Sequence, residues 1–412
     1  MHRAFLTPLY MLPSMLTDDR WLLPDGIEEV LPSEAARLER LRREVLDLFG
    51  TWGYRLVVTP LIEFIESLLT GAGHDLDIQT FKLIDQISGR QLGVRADMTP
   101  QVARIDARHS ESTVPARLCY LGTVLHAQSD HLERSRSPMQ VGAELYGHAG
   151  IASDLEIVSL MLEMLAIAGV KNVHLDLGHV GIYRALAGQT GLDPSAEGQL
   201  FEILQRKASP ELSELLAATN ITPDALAWFA ALMDLNGGSE VLVEARRRLA
   251  GADRRVHGAL DDLEAIAHAL IAKFPSLPIH FDLAELRGYH YHTGMVFAAF
   301  VPGYGRDIAR GGRYDDIGRV FGRARPATGF SADLRVLLRF CSVDLDQEEQ
   351  PGPILAPAVD DVELHETIRR LRATGHAVIQ ELPGQACGPV EMGCRQRLSQ
   401  VEGAWRLVPL TS

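Results

Sequence analysis

The segment PMQVGAELYG, Pro138–Gly147, carries residue types able to hold a small polar ligand. Side chains alternate along a strand, so Gln140, Gly142, Glu144 and Tyr146 face one way. Met139, Val141, Ala143 and Leu145 face the other, as a core side should. An amide, a gap and a carboxylate therefore stand in line. Such a face receives an ammonium or an imidazole N–H, with room for a ligand above Gly142. An ordinary exposed strand face has the same pattern.

Three other segments hold reactive residue types. In Arg95-Ala96-Asp97-Met98-Thr99, Asp97 and Thr99 share a face if the chain is extended and would suit an α-ammonium. Alternatively Thr99, preceding Pro100, is a helix start. RGYHYHTG, Arg287–Gly294, concentrates Arg, Tyr and His between glycines. Its arginine has the planar fork that pairs with both oxygens of a carboxylate. His290 and His292 share a face in extended chain, but two histidines without a neighbouring carboxylate or cysteine do not make a metal site. RGGRYD, Arg310–Asp315, lets a ligand approach backbone at its glycines and matches no phosphate-loop fingerprint. No GxSxG, HExxH or GxxxxGK[ST] occurs, and no nucleophile–base pair emerges. Neither a catalytic residue nor a metal is expected.

The elements that must position these residues can be read in order. Ser33–Gly50 predicts an amphipathic helix, capped by Ser33 and ended by Gly50. Tyr54–Thr59 predicts a strand stopped by Pro60. Phe81–Ile84 and Gln91–Val94 predict a hairpin around Ser88-Gly89. A helix opens at Thr99. Strand-like runs Arg117–Leu125 and Pro138–Gly147 flank a polar loop, and the first ends in Leu125-His126, with no arginine there to hold a phosphate. Ser153–Gly169 predicts a buried helix with a Ser153/Glu156 capping box, followed by a strand at Val173–Leu177. Residues 190–273 carry helical patterns only. Strands resume at Ile279–Asp282 and Met295–Phe300, and Gly329–Phe340 predicts a helix. Val343–Pro353 is a linker by composition, and a small α/β tail follows. The divisions are thus an N-terminal tail (1–20), a core in two parts (21–189 and 274–342), a helical insertion (190–273), the linker (343–353) and a C-terminal domain (354–412).

Composition narrows the function classes. The 412 residues carry a formal net charge of −14, which argues against a large nucleic-acid footprint. Four scattered cysteines imply no disulfide framework. No run approaches the ~18–20 apolar residues of a membrane span, and the N-terminus reads as a tail rather than a signal peptide. The expectation is a cytoplasmic protein.

Taken in order, these segments resemble the histidyl-tRNA synthetase family and its non-synthetase relatives, from Asp25 to about Phe340 and more weakly over the tail. PDGIEEVLPSEAARLERL with FGTWGYRLVVTPLIE is similar to the family's N-terminal helix and dimer-forming first motif. RADMT resembles its histidine-binding RPEGT-type turn, Arg117–Gly147 its second motif, RGYHYHTG its RGLDYY-type segment and ATGFSADLRVLL its third motif. The resemblance implies an α+β fold: a class II aminoacyl-tRNA synthetase-like antiparallel sheet flanked by helices, with a helical insertion and a small C-terminal α/β domain. It implies a histidine pocket as well. Asp97, Thr99 and Gln140 would receive the α-ammonium, Glu144 an imidazole N–H, and Arg287 the carboxylate. Tyr314 would line the pocket with Tyr291 and His292, the last standing where the synthetase has a tyrosine.

Two departures bear on catalysis. Active synthetases of this type carry an arginine at the end of the second motif's first strand, where this chain has His126. Their third motif ends in Gly-Leu-Glu-Arg; here the aligned residues are Asp333-Leu334-Arg335-Val336. Arg335 falls one place early, about 100° round a helix. Stabilising phosphate charge is most of the catalysis in adenylation. The resemblance therefore points to the non-catalytic branch, the regulatory subunits of ATP phosphoribosyltransferase. It implies a short-form catalytic subunit as partner, a dimer within a hetero-oligomer, and histidine as feedback effector of the first step of histidine biosynthesis. It implies no cofactor, tRNA or membrane. The alternatives are an active histidyl-tRNA synthetase, or a scaffold whose pocket is vestigial.

Overall fold

A computed structural model describes residues 22–70, 74–109, 114–128, 135–218, 221–286, 288, 291–341, 352–384 and 388–410. The chain forms two compact units, Met1–Val343 and Asp344–Ser412. In the first, the strands are β1 (Arg55–Leu56), β2 (Ile62–Phe64), β3 (Phe81–Ile84), β4 (Gln91–Val94), β5 (Ala116–Thr123) and β6 (Met139–Tyr146). They continue with β7 (His174–His179), β8 (Asn236–Gly237), β9 (Ile279–Asp282), β10 (Met295–Phe300), β11 (Asp307–Arg313) and β12 (Ala327–Asp333). A nine-stranded sheet runs in the order β1-β5-β6-β12-β11-β10-β7-β9-β8, beside a three-stranded sheet β2-β4-β3. The run from β5 through β7 in that order is antiparallel throughout.

One face of the large sheet carries the main core. Val141, Ala143 and Leu145 of β6 point into it, together with Phe297 and Phe330. The helix Ile151–Ile167 lies on this side and is apolar nearly all round, so Ile157, Leu160, Met161 and Leu165 are buried at once. Pro32–Thr51 buries one stripe of Leu38, Leu41, Val45 and Phe49. The opposite face meets the helix Thr99–His109, whose Val102 and Ala103 join a second cluster with Leu118, Tyr120, Tyr146 and Tyr314. The candidate ligand residues belong to this second face.

Several local expectations need correction. Gly329–Phe340 is not one helix: it is the end of β12 followed by the helix Leu334–Phe340. The change falls at Asp333, whose carboxylate accepts Arg335 N–H at 3.0 Å and caps the helix. Arg310–Arg313, read only as a glycine- and arginine-rich segment, is the second half of β11. The buried helix starts at Ile151 rather than Ser153, with Gly150 as N-cap. Ser153 does not cap it; its hydroxyl donates to Gly150 O at 2.7 Å and accepts from Arg313. Ser33 does not cap the first helix either, which begins at Pro32 and runs past Gly50 to Thr51. Tyr54–Thr59 pairs only over Arg55–Leu56.

The hairpin β3–β4 forms where the spacing predicts it. Asp85 accepts from Ile87 N and Ser88 N, and Gly89 takes φ +70°. Within 190–273, helices run Pro194–Gln205, Ser209–Ala218, Pro223–Asp234, Glu240–Arg248 and Arg254–Lys273, the last not singled out by the sequence. The second unit has strands β13 (Ile354–Ala356), β14 (Val378–Gln380), β15 (Gln396–Val401) and β16 (Ala404–Pro409) in the order β14-β13-β15-β16. The helix Val362–Ala373 contributes Leu364 and Ile368 to its core. Of these elements, the sequence reading omitted β15. No described helix is long and apolar enough to cross a membrane.

Candidate ligand site on the sheet

The site is built on glycines. Gly312, Gly329 and Glu144 lie side by side across β11, β12 and β6. A Cβ on Gly329 would stand 2.8 Å from Ala143 O and collide with the Glu144 carboxylate. One on Gly312 would stand 2.8 Å from His292 Nδ1. The missing side chains thus let Glu144 and His292 lie flat against the sheet. In the next row Gly142 is paired with Tyr120 and Ser331. A Cβ there would meet the Tyr120 hydroxyl at 2.4 Å. The room above Gly142 is filled by that tyrosine, not left open for a ligand.

Glu144 is the centre of a polar network. It is 1% exposed. Its Oε1 accepts the Tyr120 hydroxyl at 2.9 Å, and its Oε2 accepts the Tyr314 hydroxyl. Tyr314 also reaches the Tyr146 hydroxyl, at 3.5 Å. Burial pushes the Glu144 carboxyl up to about 8, against the pull of the two tyrosine hydroxyls, and the Asp97 charge raises it further. Each carboxylate oxygen has a second lone-pair direction, so the group can still accept an N–H from a ligand.

Beside it, the Ala96–Thr99 turn is held from the same strand. Gln140 Oε1 accepts Met98 N–H at 2.9 Å, and its Nε2 donates to Asp97 Oδ1 at 2.8 Å. Asp97 Oδ1 also accepts Thr99 N–H at 2.9 Å, so Asp97 rather than Thr99 closes the start of the helix. The Thr99 hydroxyl lies 3.0 Å from that of Tyr120. Asp97, Thr99, Gln140 and Glu144 therefore stand together, and Gln140 positions the turn with both of its polar atoms.

Tyr291 stacks on Tyr314, ring centres 4.9 Å apart. Its hydroxyl is buried and has no hydrogen-bond partner among the described residues. His292 Nδ1 is 3.3 Å from Arg313 O, a carbonyl, so Nδ1 carries the proton and Nε2 is the acceptor. Burial pushes this imidazole down to about 4 and keeps it neutral. Arg313 is fixed by Asp154 Oδ2 at 2.9 Å and Ser153 Oγ at 2.8 Å. That buried clamp anchors the chain on either side of Tyr314. Arg287 lies outside the described residues.

The positions that depart from the synthetase pattern have other partners. His126 Nε2 donates to Ala96 O at 3.0 Å, sealing the back of the turn. Arg136 donates to His126 O and Ala127 O, each at 2.9 Å, and its guanidinium lies over the Phe81 ring. Val336 is buried in the core. Arg335 reaches Ser137 Oγ at 3.4 Å and Glu28 at 3.4 Å. Among the described residues, no group of three or more His, Cys, Asp or Glu could hold a metal ion.

Sequence reasoning named neither Tyr120 nor Gly329 for the site. Tyr120 sits on a strand already identified, two places before Gly122, and pairs with Gly142 as Gly122 pairs with Gln140, so alternation puts it on the ligand face. Nothing local marks Gly329.

A family model described as histidyl-tRNA synthetase matches residues 26–337. One described as the ATP phosphoribosyltransferase subunit HisZ C-terminal domain matches 351–408. The ATP phosphoribosyltransferase regulatory subunit of Methylococcus capsulatus is 61% identical, over 96% of this chain and 97% of its own. The chain belongs to the ATP phosphoribosyltransferase regulatory subunit family. Its counterpart from Pseudomonas syringae pv. tomato is 59% identical over 97% of this chain and 100% of its own. A solved structure described as an ATP phosphoribosyltransferase regulatory subunit/histidyl-tRNA synthetase from Bacillus halodurans C superposes with TM-score 0.79 at 27% identity, covering 94% of this chain and 98% of that one. The histidyl-tRNA synthetase of Nostoc sp. PCC 7120 gives TM-score 0.73 at 18% identity, covering 94% and 97%, and shares the fold. This member of the regulatory subunit family thus has the class II, histidyl-tRNA synthetase-like fold, and the role of regulatory subunit follows from the family.

Proposed function

We propose that this regulatory subunit is a non-catalytic histidine sensor. It activates the short-form catalytic subunit of ATP phosphoribosyltransferase and transmits feedback inhibition by histidine. The observation that carries the reading is the buried Glu144 carboxyl, gripped by Tyr120 and Tyr314 beside the Asp97–Thr99 turn. In this reading Asp97 and Thr99 receive the α-ammonium, with Gln140 setting the turn. Glu144 and the neutral His292 face the imidazole, and Tyr291 and Tyr314 wall it. Arg287 is assigned to the carboxylate by resemblance.

The absence of catalysis rests on His126 and Val336, which stand where a synthetase has arginines. Self-association as a dimer is supported at the sheet edge. β1 ends the large sheet, and Leu56, Val58, Leu61 and Ile62 nearby are 49%, 84%, 46% and 45% exposed. A net charge of −14 supports a role without tRNA, and the family's biosynthetic role supports the cytoplasm.

The test is co-purification with a short-form catalytic subunit, then activity with and without histidine. Activation by this chain, reversed by histidine and accompanied by a calorimetric histidine signal, is expected. A complex that is activated but binds no histidine would leave only a scaffold. The synthetase alternative keeps one support, the family-model match over residues 26–337. Histidine-dependent ATP–pyrophosphate exchange by the chain alone would favour it.

A further inference from the structure

The site face holds several carboxylates, and nearly every described arginine around it is already engaged. Arg95 donates to the carbonyls of Thr59 and Thr123 at 2.8 and 2.9 Å. Arg136 is bound to backbone carbonyls, Arg184 donates to His292 O, and Arg313 is locked to Asp154. Arg335 reaches Ser137 and Glu28.

Arg310 differs. It is paired across β11 with Ala298 on one side and Ser331 on the other, and Ser331 is paired with Gly142. Its Cβ therefore projects from the face that bears Tyr120 and Glu144. The row it occupies is otherwise small, Ala298, Ser331 and Gly142, apart from the tyrosine that covers Gly142. The side chain is 62% exposed and meets the Asp307 carboxylate only at 3.9 Å, beyond hydrogen-bond reach. It lies two residues before Gly312, over which His292 rests. Its charge reaches that imidazole and, after burial, adds to the forces keeping it neutral.

Resting on the histidine-site reading above, we propose that Arg310, in addition to the Arg287 assigned there by resemblance, binds the α-carboxylate of the amino-acid ligand. A guanidinium is suited to this because two of its N–H groups match the two carboxylate oxygens. The ligand then lies across the strands. Its ammonium is at the Asp97–Thr99 turn, its imidazole against Glu144, and its carboxylate over the small row toward β11. The charges balance along it: Asp97 stands against the ammonium and Arg310 against the carboxylate, while Glu144, whose carboxyl is raised to about 8, faces the imidazole. The site would select a free amino acid over a decarboxylated or reduced analogue, because only a carboxylate gives Arg310 a group on the ligand to pair with.

The experiment compares L-histidine with L-histidinol, in which a hydroxymethyl replaces the carboxylate. Both are titrated calorimetrically into the full-length complex, wild type and Arg310→Ala. Losing a charge-assisted contact should weaken histidine roughly tenfold or more, and histidinol by no more than about twofold. Arg310→Lys should recover part of the histidine loss, keeping the charge without the fork. Equal effects on the two ligands, or none on histidine, would overturn the assignment and leave the carboxylate to Arg287. Failure of the wild type to bind histidine would instead remove the histidine-site reading itself. Arg310 is exposed, so a melting temperature matching wild type is expected and checks that the variant is folded.

Discussion

Glu144 and Leu145 are neighbours on one strand, equally buried at 1% exposure, and they do opposite things. Leu145 points into the main core with Val141 and Ala143. Glu144 points to the other side, where each oxygen accepts a tyrosine hydroxyl. Burial alone therefore does not separate core from site in this sheet. The difference is how each face is filled. The core face is closed by apolar volume. The ligand face is floored by glycines and filled by polar side chains that arrive from other strands and satisfy one another. A carboxyl held in such a place costs stability when ionised, because it lacks a described cation partner.

The comparison breaks hardest on its apolar side. Leu145→Ala should cost about 2–5 kcal/mol of stability through the cavity it leaves. Histidine affinity of the folded fraction should stay unchanged. Urea unfolding with a parallel titration checks both, and an affinity loss without a stability loss would mean that the faces are not independent. Gly142→Ala attacks the floor. The new methyl would meet the Tyr120 hydroxyl at 2.4 Å and Phe330 O at 2.6 Å. About 1–3 kcal/mol of strain follows, together with weaker histidine binding, because Tyr120 can no longer reach Glu144.

The finest test is pH. The Glu144 carboxyl is raised from 4.5 to about 8 in the folded chain. Between those values the folded state keeps a proton that the unfolded state has released, so stability falls as pH rises. His292 and His179, both lowered from 6.5 to about 4, work the other way, losing stability as pH falls below 6.5. Between about pH 7 and 8 Glu144 acts without them. Unfolding free energy should decline there by at most ~1.4 kcal/mol per pH unit. Glu144→Gln should remove that slope, and an unaltered slope would assign it to another group.

Much of this was legible in the sequence where the cause is local. Alternation along PMQVGAELYG placed both faces of β6, and the Ser88-Gly89 signal placed the β3–β4 turn. What failed was non-local. Gly329 reads as part of a helix because nothing beside it in sequence shows that a glutamate from β6 must lie on it. Gly142 reads as space for a ligand because Tyr120 fills it only across a strand pairing. Ser153 reads as a cap, yet its hydroxyl is taken by Arg313, 160 residues away. The family resemblance supplied the order of the site residues, not their mutual bonds. Arg310 carried no sign in the sequence beyond membership of a glycine-bearing run.

The tyrosine grip on Glu144 also makes the site its own optical reporter. Tyr120, Tyr146 and Tyr314 are fully buried and linked to one ionisable carboxyl, with Tyr291 stacked on Tyr314. Rings fixed in a chiral, buried setting give strong near-ultraviolet circular dichroism, and their bands move when the hydrogen bonding of a hydroxyl changes. A ligand N–H taken up on a second lone pair of Glu144 withdraws electron density from the oxygens that hold those hydroxyls, and so alters both tyrosine bonds. Occupancy would then be visible in the tyrosine spectrum, with no label attached.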